Sequence, residues 1–214
     1  MRIPDGIYYI VLADLVGSTS YMTKMGNDAG VARFHAFEGA AKQALEYTKP
    51  NNSGVFVKTV GDAVLLAFNH FPDVVQWHLE FDGVLVSAPP RTESMNARVL
   101  LHVGELRFED GNLNGLAVSQ LCKIEQAAKR MLLNQKKGAG NLILTHLAKE
   151  IAQPALFPVH CVLESCPALE MEGHSPVLLY QLVVKEDLGF LFDKQNQGKP
   201  RRIEVDEQFI SATI

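Results

Sequence analysis

The sequence predicts an α/β (α+β) sandwich, in which helices cover a mixed β-sheet. Short β-branched apolar runs alternate with longer segments whose apolar residues recur at helical spacing. Two of the runs are joined by the two-residue turn Gly61-Asp62, which is typical of an antiparallel hairpin. Strands interleaved with helices, together with an internal hairpin, indicate a mixed sheet, although periodicity alone does not distinguish this sandwich from others.

The strands are predicted where β-branched and aromatic residues dominate, and the helices where apolar residues form a stripe. The predicted strands are residues 8–13, 55–60, 64–68, 99–103, 142–145, 161–163 and 177–184. The predicted helices are residues 27–47 and 116–133.

One domain is the expected organisation, because 214 residues with 47% hydrophobic content can bury one substantial core. Pro and Gly residues mark loops at 89–90 and 136–141, but neither is typical of a domain boundary. The composition turns polar after residue 185. We therefore predict a domain over residues 1–185 and a C-terminal extension over 186–214, which either docks or supports a dimer, or wraps the surface without a role in chemistry.

The charge pattern argues against nucleic-acid binding, because the net charge is −4 and positive residues form only short clusters. No apolar run reaches the roughly 18 to 20 residues that a membrane span needs, and the N-terminus lacks a signal-peptide layout. We therefore expect a soluble, cytoplasmic protein that does not bind membranes. The three cysteines show no Cys-x-x-Cys spacing, which argues against a disulfide framework or a zinc site.

Two aspartates are the strongest candidate metal ligands. Asp14 ends an apolar strand, and Asp62 lies at the tip of the predicted hairpin. Mg²⁺ and Mn²⁺ prefer oxygen ligands and commonly take one or two protein carboxylates, completed by substrate phosphates and water. The main-chain carbonyl of Leu15 is a further candidate ligand.

The turn after Asp14 suits a triphosphate. Gly17 allows backbone N–H groups to approach a ligand closely, and Ser18 or Thr19 can cap the helix that follows and direct its N-terminus at phosphate oxygens. Both aspartates also have ordinary structural interpretations: Asp14 as a helix cap and Asp62 as a hairpin residue.

The two aspartate segments together resemble the signatures of the class III nucleotidyl cyclases. Residues 14–19 match the Asp-(Ile/Leu)-x-Gly-Ser-Thr motif, and residues 58–62 match Lys-Thr-(Ile/Val)-Gly-Asp. Three weaker matches follow in the family's order, at residues 97–106, 115–124 and 176–182. The resemblance covers roughly residues 5–185, so the predicted domain would be a cyclase catalytic domain.

The resemblance implies two-metal catalysis with two Mg²⁺ or Mn²⁺ ions per active site, built at the interface of a head-to-tail homodimer. It assigns the base-reading lysine to Lys58 and the ribose contact to Ser119. It assigns the group that stabilises the transferring phosphoryl to Lys123. The resemblance places a second base-reading residue near Asn112, with Asp110 and Asn114, each about two residues away, as alternatives.

The chain departs from the family at several of these positions. Most members have asparagine where this chain has Ser119, and arginine where it has Lys123. Serine is too short for the asparagine contact, and lysine lacks the planar fork that grips two phosphate oxygens. Both residues also suit a plain solvated helix surface. The family's triphosphate lysine is absent from residues 170–177.

The resemblance implies conversion of a nucleoside triphosphate to a 3′,5′-cyclic monophosphate and pyrophosphate. The short, stand-alone chain resembles the pyrimidine cyclases of bacterial Pycsar antiphage systems, whose cyclic nucleotide activates a separate effector. UTP is therefore the favoured substrate and cyclic UMP the expected messenger. The alternatives are an adenylate cyclase and an inactive cyclase-like module that binds nucleotide.

Overall fold

The computed structural model describes residues 5–49, 53–87, 95–109, 112–132, 142–152, 161–171 and 175–184. The predicted loops at 89–90 and 136–141 and the predicted extension at 186–214 lie outside these residues. The boundary near residue 185 therefore stays a prediction. None of the described helices is long and apolar enough to cross a membrane.

Eight strands and five helices make up the described part of the chain. The strands are β1 (Gly6–Leu15), β2 (Val55–Val60), β3 (Ala63–Phe68), β4 (Ala97–Glu109), β5 (Asn112–Asn114), β6 (Leu142–Thr145), β7 (Cys161–Ser165) and β8 (Leu179–Val184). The helices are α1 (Ser18–Met25), α2 (Asn27–Thr48), α3 (Phe71–Ser87), α4 (Leu116–Leu132) and α5 (His146–Ala152). All seven predicted strands and both predicted helices are present, whereas α3, α5 and β5 were not predicted as elements.

The sheet is mixed, as the sequence predicts. Its strands follow the order β2-β3-β1-β4-β6-β8-β7, and the short β5 pairs with the end of β4. Only the β4–β6 pair is parallel among the described pairs, and the others are antiparallel. The Gly61-Asp62 turn joins β2 to β3, and Gly61 has the positive φ of 62° that such a turn favours.

Helices cover both faces of this sheet, and each face has its own core. On one face, α2 and α3 contribute Phe37, Trp77 and Phe81 to a large aromatic and aliphatic cluster. On the other face, α4 contributes Leu121 and Ala128 to a second cluster. The fold is therefore the α+β sandwich predicted from the sequence.

The alternation of β1 decides which face receives Asp14. Val11 and Ala13 belong to the core under α2 and α3, whereas Ile10 and Leu12 belong to the core under α4. Because side chains alternate along a strand, Asp14 shares the α4 face with Ile10 and Leu12.

Helix α4 lies directly against the backbone of β4. A Cβ atom built on Gly104 would come within 2.3 Å of the Ala117 Cβ atom, and one built on Gly115 would come within 2.6 Å of the Glu105 carbonyl oxygen. Side chains larger than hydrogen at these two glycines would push the helix off the sheet.

Candidate active site

Asp14 is buried between two cations, with 1% of its surface exposed. It stands directly opposite Arg98 in the antiparallel β1–β4 register, which brings the two side chains together. The Arg98 guanidinium donates a hydrogen bond to Asp14 Oδ2, and the Lys129 ammonium of α4 lies 3.4 Å from Asp14 Oδ1. Both carboxylate oxygens therefore face positive charge.

Asp62 is held by one contact to the end of β1 and one to the start of α1. The Leu15 N–H donates to the Asp62 main-chain carbonyl at 3.3 Å, and the Ser18 hydroxyl donates to Asp62 Oδ2. Asp62 itself is half-buried. The hairpin tip is thus held beside the strand end that carries Asp14.

Asp14 and Asp62 line one cavity of about 250 Å³. Its other lining residues are Leu12, Val60, Gly61, Ala63, Cys122, Glu125, Gln126 and Lys129. Burial raises the pKa of Asp14, the Arg98 hydrogen bond and charge oppose that rise, and the negative charge of Asp62 adds to it. The two carboxylates are therefore close enough to repel each other, which is the electrostatic setting that a divalent cation relieves.

The predicted side-chain cap of the helix after Asp14 is wrong. Gly17 holds the N-cap position of α1 in the left-handed region, with φ of 73°, and no side chain caps the helix. Ser18 and Thr19 lie within the first turn, and Ser18 uses its hydroxyl on Asp62 instead. A positive φ is a backbone conformation that glycine adopts without strain, and the predicted approach of a ligand to this turn stays a prediction.

Besides Arg98, two further residues of this site were not predicted from the sequence. Glu125 and Lys129 lie one turn apart on α4, with Lys129 Nζ 3.2 Å from Glu125 Oε1, and Glu125 is 7% exposed. Burial and the nearby Asp14 charge raise the pKa of Glu125. The pKa of Lys129 is also raised: burial works to lower it, but the charges of Asp14, Glu125 and Asp62 prevail. The sequence did carry one signal for both residues, because each places a charged side chain within the apolar stripe of a predicted helix.

Lys58 also lies on the α4 side of the sheet. Burial and the Glu125 charge raise the pKa of the Cys122 thiol, and the positive charge of Lys58 opposes this rise. Lys58 is therefore near the middle of α4 in the same chain. Lys58 is half-buried.

Lys123 and Ser119 are exposed residues of α4, and neither of them lines the Asp14 cavity. Lys123 lines a larger cavity of about 1050 Å³, which includes His102, Gln120 and His146 and does not include either aspartate. Residues one position apart on a helix differ by about 100° in direction, so Cys122 and Lys123 face different cavities. Within one chain, the structure does not bring Lys123 together with Asp14 and Asp62.

For the second base-reading candidate, Asn112, the structure describes the backbone pairing. Asn112 begins β5 and pairs with Glu109 of β4, and Asn114 pairs with Arg107. Asp110 lies outside the described residues. The choice among Asn112, Asp110 and Asn114 therefore stays a prediction.

The donor set at the Asp14 cavity fits a hard divalent cation. Two carboxylates converge there from separate elements, and Leu15 continues the chain beside Asp14. Among the described residues, no group of three or more His, Cys, Asp or Glu side chains is arranged to hold a metal ion. Two carboxylates are nevertheless the usual protein contribution where substrate phosphates supply the remaining oxygens.

Comparison with known proteins identifies the fold. No protein-family model and no curated protein sequence matches this chain. Solved structures do. Adenylate cyclases from Trypanosoma brucei in their monomeric state match with a TM-score of 0.65 and 16% identity, over 87% of this chain and 93% of that chain. The fold is that of the class III nucleotidyl cyclases.

Two further cyclase structures agree. An adenylate/guanylate cyclase/hydrolase from Silicibacter pomeroyi matches with a TM-score of 0.55 and 20% identity, over 85% of this chain and 98% of that chain. The guanylate cyclase domain of RhGC from Catenaria anguillulae, in complex with GTP, matches with a TM-score of 0.58 and 15% identity, over 84% of this chain and 97% of that chain. At these identities the likeness establishes the cyclase fold, and activity is a separate question.

Proposed function

We propose that this chain is a class III nucleotidyl cyclase, which converts a nucleoside triphosphate to a 3′,5′-cyclic monophosphate and pyrophosphate. The observation that carries the proposal is the meeting of Asp14 and Asp62 at one cavity of a cyclase fold. The two residues come from the end of β1 and the β2–β3 turn, which are the positions of the two matching motifs.

Asp14, Asp62 and the Leu15 carbonyl are the groups that would hold Mg²⁺ or Mn²⁺, two ions per active site. When bound, the ions supply activation of the ribose 3′-hydroxyl and neutralisation of the pyrophosphate. The chain itself orients the site: Ser18 fixes the Asp62 carboxylate, and Gly17 opens the backbone of the turn toward a phosphate. Thr19 follows in the same turn as a further phosphate contact.

A homodimer with composite sites is part of the proposal. Neither Lys123 nor Ser119 lines the cavity of the aspartates in its own chain, so we assign both to a substrate held by the partner's aspartates. Lys123 would stabilise the transferring phosphoryl group by its charge, and Ser119 would contact the ribose. A two-fold symmetric dimer then contains two such sites.

We further propose that UTP is the preferred substrate, ahead of CTP. Lys58 is a donor, and the amide of Asn112 both donates and accepts, a combination that suits the keto oxygen and imino N–H of uracil or guanine. Adenine and cytosine suit a lysine paired with a carboxylate, which this assignment lacks. A mismatched polar edge in a closed pocket costs about 1 to 3 kcal/mol, enough for roughly 5- to 150-fold discrimination.

The proposed setting is cytoplasmic antiphage signalling, in which cyclic UMP activates a separate effector protein. The choice of uracil over guanine, and this setting, rest on the sequence resemblance to the stand-alone pyrimidine cyclases. The described helices are compatible with that location, because none could span a membrane.

The test is turnover of the purified protein with Mn²⁺ and ATP, GTP, CTP or UTP, separately and in four-way competition, with products identified by mass spectrometry. We expect cyclic UMP to dominate. Cyclic AMP as the dominant product would make the chain an adenylate cyclase and would contradict the base assignment. Asp62→Asn is the matched control, because it keeps the size of a half-buried side chain and removes the charge.

One observation favours a second candidate, a cyclase-like module that binds nucleotide without turnover. Arg98 and Lys129 both neutralise Asp14, so the first metal ligand is already paired. Such a module would show nucleotide binding in the same preparation and no cyclic product with any of the four triphosphates. The turnover assay therefore separates the two candidates.

A further inference from the structure

Lys129 lies at the centre of the negative charge around the Asp14 cavity. Its ammonium is 3.4 Å from Asp14 Oδ1 and 3.2 Å from Glu125 Oε1, and it also interacts electrostatically with Asp62. Asp14 and Asp62 are the two carboxylates of the proposed metal site. Lys129 thus brings a positive charge to the place where a divalent cation would bind.

The two cationic side chains that contact Asp14 differ in how easily they can move away from it. The Arg98 side chain is 10% exposed and extends from the strand directly opposite Asp14, so it has little freedom to move. The Lys129 side chain is 40% exposed and reaches the cavity on a flexible stem from the far end of α4. Lys129 is therefore the cation that a competing ion can displace.

Glu125 gives the displaced ammonium a second partner. Glu125 and Lys129 are four residues apart, the spacing at which a glutamate and a lysine pair along a helix. Lys129 can consequently release Asp14 and still keep an ion pair within α4. Together the three carboxylates carry three negative charges when ionised, against two positive charges from Arg98 and Lys129.

We propose that Lys129 is a built-in competitor for the metal ion, and that its ammonium must leave Asp14 before a divalent cation can bind there. This inference rests on the proposed function, since it takes Asp14 as a metal ligand. Lys129 then sets the metal concentration at which the enzyme becomes competent. It is a positioning residue, because its effect on the reaction passes through Asp14.

The test measures Mn²⁺ affinity directly, without turnover. Purified full-length protein is titrated with Mn²⁺ in the absence of nucleotide, and free Mn²⁺ is followed by its electron paramagnetic resonance signal. Lys129→Met removes the charge and keeps much of the stem, and we expect it to tighten Mn²⁺ binding about tenfold, because one competing ion pair no longer has to break. Lys129→Arg keeps the charge and should stay close to wild type.

Lys42→Met is the matched control. Lys42 forms the same type of helical pair with Glu38, at 2.5 Å, but on α2, away from both aspartates. It should leave Mn²⁺ affinity unchanged. Circular dichroism and thermal unfolding establish that each variant is folded, and Lys129→Gln replaces Lys129→Met should the latter fail to fold.

The outcomes separate the inference from the function on which it rests. The inference is supported if Lys129→Met binds Mn²⁺ more tightly than wild type while Lys129→Arg and Lys42→Met do not. Unchanged or weaker Mn²⁺ binding in Lys129→Met overturns the inference. In that case, a loss of Mn²⁺ binding in Asp14→Asn would still support Asp14 as a metal ligand. If wild type and Asp14→Asn bind Mn²⁺ equally, the metal assignment fails and the inference fails with it.

Discussion

The Arg98 guanidinium donates a hydrogen bond to Asp14 from the position directly opposite on the neighbouring strand. Both side chains are buried on the α4 face of the sheet. A buried charge that loses its partner is costly, so the two residues depend on each other for stability. The proposed metal ligand is therefore also a structural residue, and its substitutions have to be chosen accordingly.

Asp14→Ala and Asp14→Asn should separate these two roles. Alanine leaves Arg98 buried without its carboxylate, and we expect the free energy of unfolding to fall by about 3 to 5 kcal/mol. Asparagine retains a hydrogen-bond acceptor for Arg98 and should cost clearly less. Both variants should lose cyclase turnover by at least 10²- to 10³-fold. Chemical denaturation and the turnover assay measure the two effects, and wild-type activity in Asp14→Asn would refute the metal assignment.

Ser18→Ala tests whether the orientation of Asp62 matters. The substitution removes the hydroxyl that donates to the Asp62 carboxylate, and we expect a stability loss of about 1 kcal/mol and a fall in kcat of about tenfold. Ser20→Ala is the control, because Ser20 lies on the same helix and donates to the Gly17 carbonyl, at 2.9 Å, rather than to Asp62. Equal kcat values for the two variants would show that Ser18 does not position Asp62.

Mixed dimers test the composite site. Neither Asp62→Ala nor Lys123→Ala should be active alone, since each lacks one half of every site. After random subunit exchange, half of the dimers are mixed and each has one intact site of two, so about a quarter of wild-type activity should return. Exchange is verified by native mass spectrometry. No recovery would mean that both residues act within one chain.

His102 should make the protein less stable at mildly acidic pH. Burial lowers the pKa of His102 from its ordinary value of 6.5, so the unfolded chain takes up a proton below about pH 6.5 while the folded chain does not. The free energy of unfolding should therefore fall as the pH drops below about 6.5. His102→Asn, which can keep the contact to Thr145, should flatten this dependence in urea titrations between about pH 5 and 7.

His35→Asn is the control for that experiment, because the His35 side chain is 69% exposed. It controls for the replacement of a histidine at an exposed position. If His102→Asn keeps the wild-type pH dependence, His102 is not the group responsible.

The strands, and the places of Asp14 at a strand end and Asp62 in a hairpin turn, could be predicted because they depend on local sequence. Helix α3 was not predicted, because its valines and Gly83 have weak helix propensity. The helix forms nevertheless, because the burial of Val74, Trp77 and Phe81 on one face outweighs that weak propensity. Helix α5 has seven residues and β5 has three, which is too short for a periodic pattern.

The remaining parts of the site depend on tertiary geometry. Arg98 meets Asp14 only because of the register between two strands that are distant in sequence. Lys129 meets Asp14 only because of how α4 lies across the sheet. Neither the register nor the helix orientation is encoded in a motif, whereas the Gly61-Asp62 turn is, and it was predicted correctly.

The alternation of β1 makes the site sensitive to chain length as well as to residue identity. Deleting or inserting one residue between Ile10 and Asp14, with the start of the strand held in register, would turn the carboxylate to the opposite face. There it would enter the aromatic layer of Phe37 and Trp77, away from Arg98, Lys129 and Asp62. Variants with a single-residue insertion or deletion in this strand should therefore be inactive, even where point substitutions of the same apolar residues are tolerated.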